Sequence, residues 1–303
     1  MLHIIVLGAA AGGGVPQWNC GCPQCAAARQ DPSRALTQAS LAISADQRNW
    51  FLINAAPDLR QQLNATPALH PRDNALRDSP IAGVVLTNGE VDAIAGLLNL
   101  REKTGFGIYA HPRVLDILDA NPIFEVLDRQ LVRRHGLPLD HPVELTLPDG
   151  TPSGIEILAC RVPGKVPLYL EDAAAADDQG DTIGLEIRCG EAIVQVITAC
   201  AAPDAALLQR LRGASMVLFD GTLWRDDELI AAGLGQKTGT RMGHMSMSGE
   251  TGSMAVLDQL DIGRKIFIHI NNSNPVLHPA SPERAELERR GWTIPADGTE
   301  FTL

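Results

Sequence analysis

The chain has 303 residues, with 25 Lys and Arg against 36 Asp and Glu, for a net charge of −11. That balance leaves no basic field for a phosphate backbone, and an aromatic content of 4% leaves few rings for base stacking, which excludes general nucleic-acid binding. No window reaches the roughly 18 apolar residues of a membrane span. The apolar run at 4–7 stops at Gly8 with no basic start, unlike a secretory leader. A cytoplasmic location is therefore expected, where thiols stay reduced.

Residues 2–7 read as a buried strand. Gly8-Ala9-Ala10-Ala11-Gly12-Gly13 follows, a loose echo of the G-x-A-x-x-G dinucleotide turn. Gly14, Pro16 and a cysteine cluster come next, where that motif needs a helix, so the segment reads as a glycine loop packed under a site. Cys20, Cys22 and Cys25 form C-x-C-x-x-C. Buried free thiols are the plain alternative. Three thiols in six residues, with Gly21 and Pro23 bending the chain, point instead to a structural zinc whose fourth ligand is open. Cys160, Cys189 and Cys200 read as ordinary core residues.

Strands are expected at 41–44 and 50–53, and a short helix at 58–63 begun by Pro57. The strand 81–86 runs into the turn 87–92, where Asn88, Glu90 and Asp92 alternate and can point one way. Two converging carboxylates would make a hard-ligand pocket; the alternative is a polar turn with Asp92 as N-cap. Ile94, Leu97, Leu98 and Arg101 give 93–103 a helical spacing, and a strand at 107–110 and a helix at 113–119 follow. The middle reads as strands at 143–147, 155–162, 168–170, 182–189 and 192–197, then a helix at 204–211. Asp220 ends the strand 215–219, and His244 lies in a small-residue loop before a helix at 251–260. His269 stands near the end of the strand 265–270, beside an Asn-rich loop, and a last helix covers 282–290. Each of these three is equally a turn or core residue when taken alone. No repeat or linker divides the chain, so a single α/β domain over 1–303 is expected, with layered sheets covered by helices.

Read together, these segments resemble the metallo-β-lactamase superfamily and, more closely, its coenzyme pyrroloquinoline quinone (PQQ) biosynthesis protein B family. The resemblance rests on residues 12–20, the helix 97–102, Asp220-Gly221-Thr222-Leu223-Trp224, Lys237-Thr238-Gly239 with Met242-Gly243-His244, and His269 to Pro275. It implies a four-layer αββα sandwich with its site at one edge of the sheets. It also implies a role in making PQQ, as an iron-dependent hydroxylase of the tyrosine ring of a Glu–Tyr-derived precursor or as a non-catalytic carrier or transport factor. The partners implied are PQQ or its peptide-derived precursor and other PQQ biosynthesis proteins, and a homodimer is compatible with this.

The resemblance gives Cys20, Cys22 and Cys25 to zinc; a related phosphodiesterase branch has a histidine ligand where this chain has Asn272. The superfamily's H-x-H-x-D-H falls on Asn88, Glu90, Asp92 and Ala93, so three of its histidines are replaced, which argues against a dinuclear hydrolase. Asp92, Asp220 and His269 remain for a single Fe(II), with Glu90 and His244 as compensating groups. Asp220 stands in for the superfamily's bridging aspartate, whose place falls near Thr198. Lys165, Arg241 and Asn88 are the candidates for binding substrate.

Overall fold

The computed structural model describes residues 1–73, 75–170 and 180–303. The apolar runs become two seven-stranded sheets. The first contains β1 (His3–Gly8), β2 (Ser40–Ser44), β3 (Trp50–Ile53), β4 (Ile81–Leu86), β5 (Phe106–Ala110) and β6 (Val132–Gly136), adjacent in that order. The second contains β7 (Pro142–Thr146), β8 (Pro152–Arg161), β9 (Ile183–Cys189), β10 (Ala192–Ile197), β11 (Met216–Asp220), β12 (Arg264–Ile268) and β13 (Trp292–Thr293). β14 (Glu300–Thr302) returns to pair with β1. Each sheet is antiparallel on one side and parallel on the other: β3 to β6 run parallel, as do β10 to β13.

Alternation along the strands decides the layers. One face of each sheet enters a shared core, where Ile4, Ile43, Phe51 and Val85 meet Ile157, Leu185, Val196 and Leu218. The opposite faces are covered by helices. After α1 (Pro23–Gln30), the first sheet takes α2 (Leu59–Ala65), α3 (Val91–Ile94) and α4 (Pro112–Ala120), which bury Leu59, Ile94, Val114 and Leu118. The second takes α5 (Ala205–Leu211), then, past α6 (Glu228–Ala231), α7 (Ser253–Leu257) and α8 (Pro282–Arg289), which bury Leu207, Met254 and Leu287. The result is the αββα sandwich. Among the described residues no helix is long and apolar enough to cross a membrane.

Several local expectations are corrected. The stretch 93–103 is not one helix: α3 gives way to a 3₁₀ segment, Ala95–Leu100. The Ala93 carbonyl accepts from the Ala55 N–H at 2.7 Å, and the Gly96 N–H donates to the Ala55 carbonyl at 2.8 Å, so both leave the helical ladder. A Cβ on Gly96 would lie 2.1 Å from the Ala56 carbonyl, so only glycine admits that approach. Leu168–Leu170 is a 3₁₀ turn rather than a strand, because the Leu168 N–H is taken by Glu90 and Leu170 closes onto Pro167. Pro57 precedes Asp58, the residue before α2, and does not enter the helix. Asp92 lies inside the first turn of α3, with Glu90 at the position before it, so its carboxylate is not spent on capping.

Candidate active site

The C-terminal ends of parallel strands leave their last side chains at a sheet edge, where loops converge. Here β4 delivers Asn88 to Asp92, β11 delivers Asp220 and Thr222, β12 delivers His269, and β1 delivers Gly12 and Gly13. Bridges between Ala10 and Ile270 and between Asn88 and Thr182 tie the two sheets together at this edge. A cavity of about 850 Å³ opens there, with Asp92, His244 and His269 among its lining and Lys165 and Lys237 on its wall.

The floor is one connected network. His269 Nε2 lies 3.1 Å from Asp92 Oδ2, and its Nδ1 lies 2.9 Å from the Thr222 hydroxyl. His244 Nδ1 lies 2.8 Å from Asp220 Oδ2, and the two imidazoles stack with centroids 5.2 Å apart. Asp220 is fully buried. Its Oδ2 also accepts from the Cys200 N–H at 3.0 Å, and its Oδ1 accepts from the Thr222 N–H at 3.1 Å and the Thr222 hydroxyl at 2.6 Å. His269 has φ +57°, a left-handed backbone that a β-carbon disfavours, as often found where a side chain is aimed for function.

Electrostatics couple Asp92 to His269. Burial pushes the Asp92 carboxyl up, yet the hydrogen bond and charge of His269, with the charge of His244, outweigh it and hold the group below the usual carboxylate range. Burial likewise lowers His269, but the hydrogen bond and charge of Asp92, helped by Asp220 and Glu90, raise it above the ordinary imidazole value.

The other expected residues divide. Asn88 lines the cavity, but its Oδ1 accepts from the Glu90 N–H at 2.9 Å and so shapes the turn. Glu90 faces the wall: its Oε1 accepts from the Leu168 N–H at 3.1 Å and lies 3.7 Å from Lys165 Nζ. Lys165 lines the cavity as expected, whereas Arg241 is exposed and outside the lining; Lys237 holds the cation position instead. Ala93 is buried, with its backbone bound to Ala55. Sequence reasoning gave no role to Lys237, Tyr169 or Thr222. Tyr169 lines the cavity and its hydroxyl donates to the Gly89 carbonyl at 2.5 Å. The signal for Thr222 was its place two residues beyond an aspartate at a strand end.

The cysteine loop forms a second cluster. The Sγ atoms of Cys20, Cys22 and Cys25 lie within 4.8 Å of one another. Asn272 Nδ2 stands over all three, at 3.1, 3.7 and 3.3 Å, and the Gln17 N–H reaches Cys25 Sγ at 3.3 Å. Three convergent sulfurs receiving N–H donors are what a thiolate-bound zinc requires. Burial raises the Cys22 thiol to about 11. Burial also acts to raise Cys20, but hydrogen bonds from Cys22, Cys25 and Asn272 bring it below the ordinary thiol value. Asn272 is three residues from His269, so this cluster anchors the loop beside the cavity. Cys160, Cys189 and Cys200 are buried and unpaired, as expected.

Residues 49–270 match the family model described as the beta-lactamase superfamily domain. The coenzyme PQQ synthesis protein B of Rhodopseudomonas palustris (strain TIE-1) is 62% identical, with 100% of both chains covered. That of Gluconobacter oxydans (strain 621H) is 50% identical over 100% of this chain and 99% of its own. The chain belongs to the coenzyme PQQ synthesis protein B family. The crystal structure of Zn²⁺-bound PqqB from Methylobacterium extorquens is similar at TM-score 0.94 and 47% identity, covering 99% of this chain and 100% of that one. A diphosphatase of the PhnP family, at 19% identity and TM-score 0.69 over 99% of this chain and 96% of its own, shares the fold.

Proposed function

We propose that this protein acts in PQQ synthesis as an iron-dependent oxygenase that hydroxylates the tyrosine ring of a Glu–Tyr-derived precursor, as one domain over residues 1–303 in the cytoplasm. The observation that carries this reading is the floor of the cavity, where one carboxylate, Asp92, meets the imidazole of His269, and His244 stacks on that ring, beneath a space large enough for a dipeptide-sized ligand. That donor set suits a single non-haem Fe(II) with open positions. Asp220, His244 and His269 also offer ligand atoms within 4.8 Å of one another. The Thr222 hydroxyl fills the middle of that group, at 2.6 to 3.1 Å from all three, so Asp220 is assigned as the support behind the rings.

Asp92, His269 and His244 would hold the iron, which supplies dioxygen activation when bound. Lys165 and Lys237 pair substrate carboxylates, and Val91, Leu168, Tyr169 and Met242 offer the apolar wall for a phenol ring. Glu90 and Asn88 hold that wall in place. Cys20, Cys22 and Cys25 hold the structural zinc, with Asn272 above the sulfurs. A carrier reading has one observation in its favour: Asp92 and His269 satisfy each other directly, and Ala93 supplies no third imidazole. Anaerobic loading with Fe(II), then dioxygen with a reductant and a Glu–Tyr-type substrate, separates the two. Oxygen insertion in proportion to bound iron is expected. Tight PQQ binding with no iron uptake and no product overturns the oxygenase in favour of the carrier.

A further inference from the structure

We propose that Thr222 is the positioning residue of this site: its hydroxyl fixes the Nδ1 proton and orientation of His269, and through Asp220 those of His244, so that both rings present Nε2 to the cavity. This rests on the reading of the two rings as cavity-facing donors.

The argument is a count of protons. Thr222 is buried, and its Oγ1 lies 2.6 Å from Asp220 Oδ1, 2.9 Å from His269 Nδ1, 3.1 Å from His244 Nδ1 and 2.9 Å from the His269 carbonyl. A hydroxyl has one proton to donate and two lone pairs with which to accept. The short contact to a carboxylate takes the proton, because a charged acceptor makes the stronger bond. The lone pairs then face the Nδ1 atoms, and a lone pair is satisfied there only by an N–H. His269 is thus held with a proton on Nδ1, while Nε2 faces the cavity and, without a metal, donates a second proton to Asp92 Oδ2. Asp220 imposes the same Nδ1 proton on His244, since its Oδ2 can only accept from that ring. A carboxylate receiving four donors cannot swing away to release either ring.

The backbone leaves Thr222 no other place. The Gly221 N–H donates to the Ile268 carbonyl at 2.8 Å, and the Asn271 N–H donates to the Thr222 carbonyl at 3.0 Å. The buried Asn274 amide donates to the Gly221 carbonyl at 3.0 Å. A Cβ at Gly221 would lie 2.9 Å from the Phe267 Cβ, so the turn closes against β12 with no room to shift. Asp220, Thr222 and His269 are therefore held as one unit by two neighbouring strands.

The test compares Thr222→Val, which keeps the shape and loses the hydroxyl, with Thr222→Ser, which keeps the hydroxyl. The first readout is the imidazole ¹⁵N shifts of His244 and His269 in protein without active-site metal. Wild type and T222S are expected to show Nδ1 protonated on both rings, and T222V to lose that pattern at His269. The second readout is Co(II) affinity at the cavity, expected to fall about tenfold in T222V and to be restored in T222S, with zinc on the cysteines unchanged. T222V with wild-type ¹⁵N shifts overturns the proposal. If even wild type takes up no Co(II), the ligand reading of the rings fails, while the nitrogen shifts still decide the role of Thr222. Should T222V not fold, Thr222→Ala provides the same comparison.

Discussion

Replacing Asp220 by asparagine separates a supporting carboxylate from a metal-binding one. In the present structure its two oxygens receive four donors: the Cys200 N–H, His244 Nδ1, and the N–H and hydroxyl of Thr222. Asparagine keeps the shape and one acceptor oxygen, but it turns an NH₂ onto one of the two pairs. Two buried donors then lose their acceptor, at about 1–3 kcal/mol each. A loss of about 2–6 kcal/mol is therefore expected for D220N even without metal in the cavity. Urea unfolding of protein stripped of active-site metal, with zinc retained on the cysteines, measures it. A loss below about 1 kcal/mol, together with abolished iron binding, would refute the reasoning and make Asp220 a direct ligand.

Three further outcomes are expected. Cys22→Ser should lose about one zinc per chain and melt at a lower temperature, because a structural site of three thiolates does not survive the loss of one; unchanged zinc by metal analysis would count against the site. Glu90→Ala should speed hydrogen exchange at the Leu168 amide, which loses its acceptor, while Glu90→Gln, which keeps an oxygen, should not. The effect on overall stability should stay within about 1 kcal/mol, because the Lys165 pair is partly exposed. In zinc-free protein, alkylation at neutral pH should label Cys20 first, because its lowered value leaves more thiolate, and should spare Cys22 and Cys160, both raised to about 11 by burial. Mass-spectrometric mapping reads the order, and equal labelling of all three would contradict it.

Much of the fold was legible because its signals are local. The runs that became β1, β4, β11 and β12 are short, apolar and bounded by turn residues, and such runs bury themselves in sheets whatever the partner. The cysteine loop was legible for the same reason: three thiols within six residues can meet without help from the rest of the chain. β6 escaped notice because Val132–Gly136 carries two arginines and a histidine, and its pairing with β5 supplies what its composition does not. The helix at 93–103 was misread because its spacing is helical, while the groups that interrupt it, Ala55 and Ala56, lie almost forty residues earlier (about 3.6 residues per turn says nothing of them).

By itself, the sequence determined that an acidic chain with buried strands would carry carboxylates and histidines at strand ends and a thiolate loop near its start. Only the tertiary structure decided what each of these touches. Asp92 and His269 are 177 residues apart, Thr222 and His269 are 47 apart, and Asp220 and His244 are 24 apart, yet all sit in one network of hydrogen bonds. Two aspartates at strand ends look alike in sequence. One faces a cavity and an imidazole that arrives from the other sheet, and the other is surrounded by donors from its own sheet, because a carboxylate's role is set by the groups that fill its lone pairs.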